Sequence, residues 1–268
     1  MLPMQQLQQR FDLSSWQDWP NAVGLNQLRS AYFGATPAMP EFVCQSSLPK
    51  SVHYYEQIIY QQGLIPTRPN TWHDLFNGLV WLQFPLTKTL INQQHVQDIE
   101  AYGLSPRTLR RNNLTHFDEC GVIVTYECSE QVVSLAQQLI SALRGHEWHT
   151  VFVENRDLWG KQLNVFMFGH ANLEMLLAPY LGLTGKWLAV PVDSDFASLP
   201  YRQQLAVIDA KLSAEVAQQD VFAQKKPLYP LPLLGVPQVW EANKAPSFYA
   251  NKDYFRPKPR AKIPLANQ

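Results

Sequence analysis

Residues 71–85 read TWHDLFNGLVWLQFP, and the reading of this run decides the fold. Its apolar residues recur at helical spacing over more than three turns, which predicts a buried helix rather than a strand. Thr71 and Asp74 form an N-terminal capping signature, in which the hydroxyl accepts an amide proton and the carboxylate reaches back toward the positive helix end. Phe84 precedes Pro85 and is pushed out of the helical region, so the helix ends there. Pro85 then opens a second helix, PLTKTLINQQHVQDIEAYG, at the one position where a missing N–H costs nothing. The cap accounts for Asp74. It does not account for His73 and Asn77, which share one face with Trp81, and an unpartnered polar group in a core costs on the order of 1–3 kcal/mol. The second helix likewise places Lys88, Asn92 and His95 on one side before closing at Gly103.

Working outward, residues 51–63, SVHYYEQIIYQQG, predict an amphipathic helix with Tyr55, Ile58, Ile59 and Gln62 at helical spacing and Gly63 as its stop. Upstream, VGLNQLRSAYFG is a shorter helix between Trp16, Trp19 and Pro20 on one side and a loop with Pro37, Pro40 and Pro49 on the other. Downstream, LTHF and GVIVTYE, joined by DEC, predict a β-hairpin, with Gly121 supplying positive φ at the turn and Asp118 and Glu119 at its tip. Residues 129–145 predict a helix, and HTVFVE and LNVFMF two further strands. Helices follow over GHANLEMLLA, stopping at or before Pro179, and over residues 200–219. From Lys225 onward, seven prolines between Pro227 and Pro259 argue against regular structure, while Trp240, Phe248, Tyr249, Tyr254 and Phe255 require burial. The expected architecture is a helix-dominated α+β single domain. It has a small antiparallel sheet holding Leu114–Phe117 and Gly121–Tyr126, a globular body over residues 1–224, and an ordered proline- and aromatic-rich strap over 225–268.

Bulk properties narrow the function classes. Of 268 residues, 46% are apolar, including 8 Trp, 11 Tyr and 13 Phe, enough for a sizeable core. Twenty-two basic residues balance 22 acidic ones, which withholds the broad attraction that nucleic acid or an anionic membrane requires. No apolar run reaches the roughly 18 residues of a membrane span, and the N-terminal residues lack the pattern of a signal peptide. Three cysteines without C-x-x-C spacing read as reduced thiols of a cytoplasmic protein, although a hairpin would bring Cys120 near Cys128. A small-molecule ligand is therefore the partner class left open.

Several groups are candidates for chemistry. His170 and Glu174, four apart in FGHANLEMLL, share a helix face, an arrangement equally suited to a metal ligand pair and to a core histidine oriented by a carboxylate. His73 with Asn77 is the second pair and Asp118–Glu119 the third. His146, Glu147 and His149 form a fourth cluster without metalloprotease spacing, which reads as surface. Arg107, Arg110 and Arg111 offer an anion cradle, with Arg110 able to pair with Asp118 across the hairpin base. His73 and His170 each open a helix and each have a polar partner one turn on. They are therefore expected to meet in one cavity also reached by Asp118 or Glu119.

Four separated stretches, YYEQIIYQQGLIPTRPNTWHDLFNGLVWLQFPLTKTLIN, RRNNLTHFDECGVIV, FGHANLEMLLAPY and LPLLGVPQVW with FYANKDYFRP, together resemble a bacterial family known as a domain of unknown function, DUF3025. The resemblance covers about Trp16 to Pro257 and implies no activity. It does imply that His73, Asp74, Asn77, Lys88, Asn92, Asp118, Glu119, His170 and Glu174 are the positions of interest. Asn112 follows Arg111 where the family pattern has an acidic residue, so no salt bridge is built on that pair.

Two functional readings follow. One is an acid–base or metal-assisted hydrolase-like enzyme, with His73, His170, Asp118 and Glu174 as catalytic groups and Asn77, Lys88, Asn92, Arg110 and Glu119 binding substrate. His73, His170 and Glu174 are then candidate ligands for a divalent metal such as zinc, manganese or iron. The other is a non-catalytic ligand- or protein-binding module whose buried polar network serves the fold. No nucleophile elbow, phosphate-cradling glycine loop or dinucleotide fingerprint is present in the sequence.

Overall fold

A computed structural model describes residues 2–12, 21–34, 39–49, 54–128 and 133–259. The main elements run α1 (Leu2–Phe11), α2 (Ala22–Phe33), β1 (Glu41–Cys44), α3 (Tyr55–Gln62), β2 (Leu64–Thr67), α4 (Trp72–Gln83), α5 (Pro85–Tyr102), α6 (Leu109–Cys120), β3 (Gly121–Glu127), α7 (Val133–Gly145), β4 (Leu163–Met167), α8 (His170–Met175), β5 (Thr184–Val192), α9 (Tyr201–Gln219) and β6 (Tyr229–Pro232). Together they form a helix-dominated α+β domain with one two-stranded and one four-stranded sheet among the described residues. Of the sequence features noted above, Trp16, Trp19, Pro20, Pro37, residues 51–53 and residues 129–132 of the helix expected over 129–145 lie outside the described residues.

The two helices of the opening stretch form as their local chemistry dictates. Thr71 caps α4, its hydroxyl accepting the Asp74 amide at 3.4 Å. The Asp74 carboxylate does not return to the cap; it takes the Arg68 backbone N–H at 2.6 Å and the Arg68 guanidinium at 2.8 Å. The break at Phe84 (φ −133, ψ 56) leaves the first amides of α5 without intrahelical acceptors. The buried Asp209 carboxylate of α9 receives them, from Leu86 at 2.9 Å and Thr87 at 2.8 Å. A cap from a distant helix thus fixes α5 against α9.

The larger sheet has the order β4-β3-β5-β6. Its pairing is mixed, not antiparallel: β3 runs parallel to β5, with Val122 opposite Trp187, and antiparallel to β4, with Val122 opposite Met167. A crossover of more than 50 residues separates β3 from β5, which allows the parallel pairing that a hairpin forbids. The expected hairpin is absent because Leu114–Phe117 belongs to α6. Leu114 and Phe117, three apart, are both fully buried on one helical face, and Thr108 caps the helix by accepting the Arg111 amide at 3.1 Å. Gly121 has φ −64, so it supplies no left-handed turn. It is glycine because α6 passes straight into β3, and a Cβ there would strike the Phe117 carbonyl oxygen.

HTVFVE is not a strand either. Residues Thr150–Glu154 form a π-helical turn in which Trp148 and Phe152 stack at 6.0 Å, satisfying helical rather than alternating spacing. Residues beyond Lys225 are ordered through Pro259 and more regular than their prolines suggest. Strand β6 pairs with β5 at the sheet edge, where Pro230 and Pro232 need donate no ladder bond. The following turns are pinned by the Tyr254 hydroxyl, which donates to Leu183 O at 2.7 Å and accepts from Leu234 N at 2.9 Å. Trp148 Nε1 adds a bond to Arg256 O at 2.8 Å. Residues 260–268 of the expected strap lie outside the described residues. Among the described residues no helix is long and apolar enough to cross a membrane.

Candidate functional site

Helix α8 starts where it does because of a close backbone approach. Gly169 donates its amide to Gly121 O at 2.8 Å, and a Cβ on Gly169 would come within 2.5 Å of the Glu119 carbonyl oxygen. Asn172 Nδ2 adds a bond to Cys120 O at 3.0 Å. The start of α8 thus rests on the end of α6, and His170 Nε2 lies 3.4 Å from Glu119 Oε2.

The first turn of α4 approaches the same point. His73 Nε2 and His170 Nε2 are 3.1 Å apart, with the ring planes at 77° and centroids 4.5 Å apart, so the rings meet nitrogen to nitrogen rather than by stacking. On the far side of the His73 ring, Nδ1 lies 3.2 Å from Glu174 Oε2. Glu174 therefore serves the histidine of the other helix. Asn77, expected to partner His73, instead donates to the Tyr55 hydroxyl at 2.9 Å and accepts from Lys88 Nζ at 2.9 Å.

Beneath the histidines runs a buried charge network. Lys88, 4% exposed, pairs with Asp118 at 2.5 Å and lies 5.2 Å above the Trp81 ring. Burial raises the Asp118 carboxyl, but the charge and hydrogen bond of Lys88, with help from His170, more than offset this and leave it low. Among the described residues Glu56 has no ion-pair partner; it accepts from Asn92 Nδ2 at 2.7 Å. Burial, reinforced by Asp118, pushes its carboxyl up to about 7. Glu119 is raised by burial and by Asp118. Burial drives His95 and His170 down to about 4 each, against an upward pull from Asp118. His95 is 5% exposed, and its Nδ1 has no hydrogen-bond partner among the described residues.

These groups border one open, polar cavity of about 360 Å³. His73, His170, Asp118 and Glu119 lie on it, as do Asn77, Tyr55, Glu56 and His95, while Arg68 and Arg107 form its more exposed side. Of the residues singled out in the sequence, Lys88 and Glu174 stand behind the wall, holding Asp118 and His73. Asn92 holds Glu56. Arg110 is not part of the site: it binds Asp98, with Nε–Oδ1 at 3.0 Å, and approaches Asp220 at 3.6 Å. Its expected partner Asp118 is more than two turns along the same helix, about 12 Å away by helix rise. Asp118 and Glu119 occupy the last turn of α6, not a hairpin tip, and Cys120 and Cys128 flank the two ends of β3 as free thiols. The His146–His149 cluster stands apart, His146 against Arg256 O and Trp148, His149 against Glu154.

Sequence reasoning missed Glu56 as a cavity residue, and of the three arginines read as an anion cradle the structure brings only Arg107 to the cavity. An acidic residue in the first turn of a helix is already explained by the helix dipole, and nothing local marks Glu56 as the partner of Asn92. His95 did carry a signal, its place on the polar side of α5 with Lys88 and Asn92.

The pattern of DUF3025, a protein of unknown function, matches residues 40–259 of the chain. The chain belongs to this family. Comparisons with curated proteins and with solved structures found no match. The span matched to DUF3025 contains every cavity residue named above, and the described elements before it are α1 and α2.

Proposed function

We propose that the cavity is the active site of a hydrolase-like enzyme that activates water by acid–base or metal-assisted chemistry. One observation carries this reading: two histidines 97 residues apart in sequence bring Nε2 to within 3.1 Å of Nε2 on the wall of an open polar cavity. A purely structural pair would be sealed. Convergent titratable groups in a concavity with displaced pKa values are the physical mark of catalysis. Glu174 beside His73 Nδ1 favours the tautomer that directs the Nε2 lone pair inward. Glu56, whose carboxyl is raised to about 7, can hold or release a proton near neutral pH within the same space. The cavity volume suits a small molecule.

A second reading has support from the Lys88–Asp118–Asn77–Tyr55 chain, which is hydrogen-bonded throughout and also orders α3, α4, α5 and α6. In that reading the protein is a binding module and the network specifies its fold. Three free cysteines favour a reducing, cytoplasmic setting for either reading. Turnover of a panel of ester, phosphoester and amide substrates separates the two. The enzyme reading expects hydrolysis that H73Q and H170Q each reduce at least 100-fold while both variants stay folded, on the scale of general acid–base catalysis. Wild-type protein inert across the panel, or turnover indifferent to both substitutions, favours the binding module.

A further inference from the structure

We infer that His73, His170 and Glu119 form a binding site for a zinc-class divalent cation, with Glu174 as the outer carboxylate that fixes His73. This goes beyond the hydrolytic reading and stands without it. The ligand atoms of the three residues all lie within 4.8 Å of one another. Zinc–nitrogen bonds of about 2.0–2.1 Å in a tetrahedral shell place neighbouring ligand atoms roughly 3.3 Å apart. The observed edges are 3.1 Å from His73 Nε2 to His170 Nε2 and 3.4 Å from His170 Nε2 to Glu119 Oε2.

Proton accounting points the same way. A carboxylate at 3.2 Å from Nδ1 favours the His73 tautomer that carries its proton on Nδ1 and its lone pair on Nε2. That lone pair faces a second imidazole nitrogen and a carboxylate oxygen. A proton on His170 Nε2 then serves two acceptors, His73 Nε2 and Glu119 Oε2, so hydrogen bonding satisfies part of the cluster, whereas a cation meets all three ligand atoms. Two imidazoles select against magnesium and calcium, which prefer all-oxygen shells. Two histidines and one glutamate with the cavity beside them leave a fourth position for water, the arrangement of a zinc site that is not closed. A carboxylate on the outer nitrogen of a ligand histidine is the usual way such a ring is oriented.

Protein stripped of metal with a chelator, kept reduced with a phosphine and desalted, is titrated with Zn²⁺ by calorimetry in two buffers of different ionisation enthalpy. One ion per chain is expected, and the comparison of buffers separates any proton contribution from the heat of binding. H73Q and E119Q should each weaken binding at least 100-fold, and E174Q about 10- to 100-fold through loss of the outer carboxylate. Co²⁺ should give tetrahedral nitrogen–oxygen visible bands without thiolate charge transfer, separating this site from Cys120. The His73 and Glu119 side chains are 34% and 38% exposed, so their variants fold even if H170Q does not. Zinc affinity unchanged in H73Q and E119Q, or a thiolate spectrum, overturns the inference. Metal bound as described without hydrolysis of any substrate leaves it standing and removes the hydrolytic reading. Hydrolysis by a protein that binds no metal does the reverse.

Discussion

Burial drives Glu56 and His95, both on the cavity, in opposite directions, the carboxyl from 4.5 up to about 7 and the imidazole from 6.5 down to about 4. The unfolded chain releases the Glu56 proton first, so this group lowers stability as pH rises from about 4.5 to about 7. The unfolded chain protonates His95 first, so this group lowers stability as pH falls from 6.5 to about 4. Asp118, Lys88 and Arg111 act on both groups and are untouched by substitution of Glu56. In metal-stripped protein the two slopes oppose each other between about pH 4.5 and 6.5. E56Q removes one of them and should give a stability that climbs more steeply with pH across that window than the wild type. Urea denaturation at several pH values checks this, and parallel curves for the two proteins would refute the assignment of Glu56. Lys88 offers a second test at this scale. K88M strands the Asp118 carboxylate beside the cavity, a loss of about 3–5 kcal/mol expected for breaking a buried pair. K88M/D118N should recover a large part of it, and additive losses in that double-mutant cycle would show that the pair is not coupled.

At the scale of elements, junctions rather than interiors place the site. G169A puts a methyl against the end of α6 and should cost about 1–3 kcal/mol as overpacking does, while also weakening zinc binding by moving His170 off Glu119. A G169A protein with wild-type melting temperature and affinity would show that the approach is not needed. The sequence made some of these elements plain and hid others. Helices α4 and α5 were legible because Thr71, Pro85 and Gly103 are local signals that no tertiary contact overrides. Helix α6 was misread because Leu114 and Phe117 fit a short strand as well as a helix turn, and the β-branched run after Gly121 suggested a partner beside it. The meeting of His73 and His170 was legible from two polar pairs at the starts of apolar helices. That Glu174 would cross to His73 and Glu119 would face His170 was not, since the first follows from the packing of α4 on α8 and the second from the α6–α8 junction.

At the scale of the whole molecule, the chain after α9 closes the sheet far from the cavity. Tyr254 carries this closure: its hydroxyl bridges Leu183 O, just before β5, and Leu234 N, just after β6, so one side chain ties the edge strand β6 and its neighbour β5 to the final turns. It is 7% exposed and packs in contact with Phe248 and Phe255, so neither backbone group has water at hand when the hydroxyl is removed. Y254F keeps the ring and deletes both bonds, at an expected cost of about 1–3 kcal/mol, because the buried Leu234 N–H is left unpaired while Leu183 O keeps the bond it accepts from Leu233 N at 3.1 Å. Among the described residues none beyond α9 borders the cavity. Perturbations that share no partners act independently, so Y254F should lower the melting temperature by several degrees yet leave zinc affinity within about threefold of wild type. Thermal denaturation paired with zinc calorimetry reads both quantities on one preparation. A Y254F protein that melts like the wild type would mean that the hydroxyl does not secure the edge. One that loses zinc affinity while folded would mean that the sheet edge and the α6–α8 junction move together.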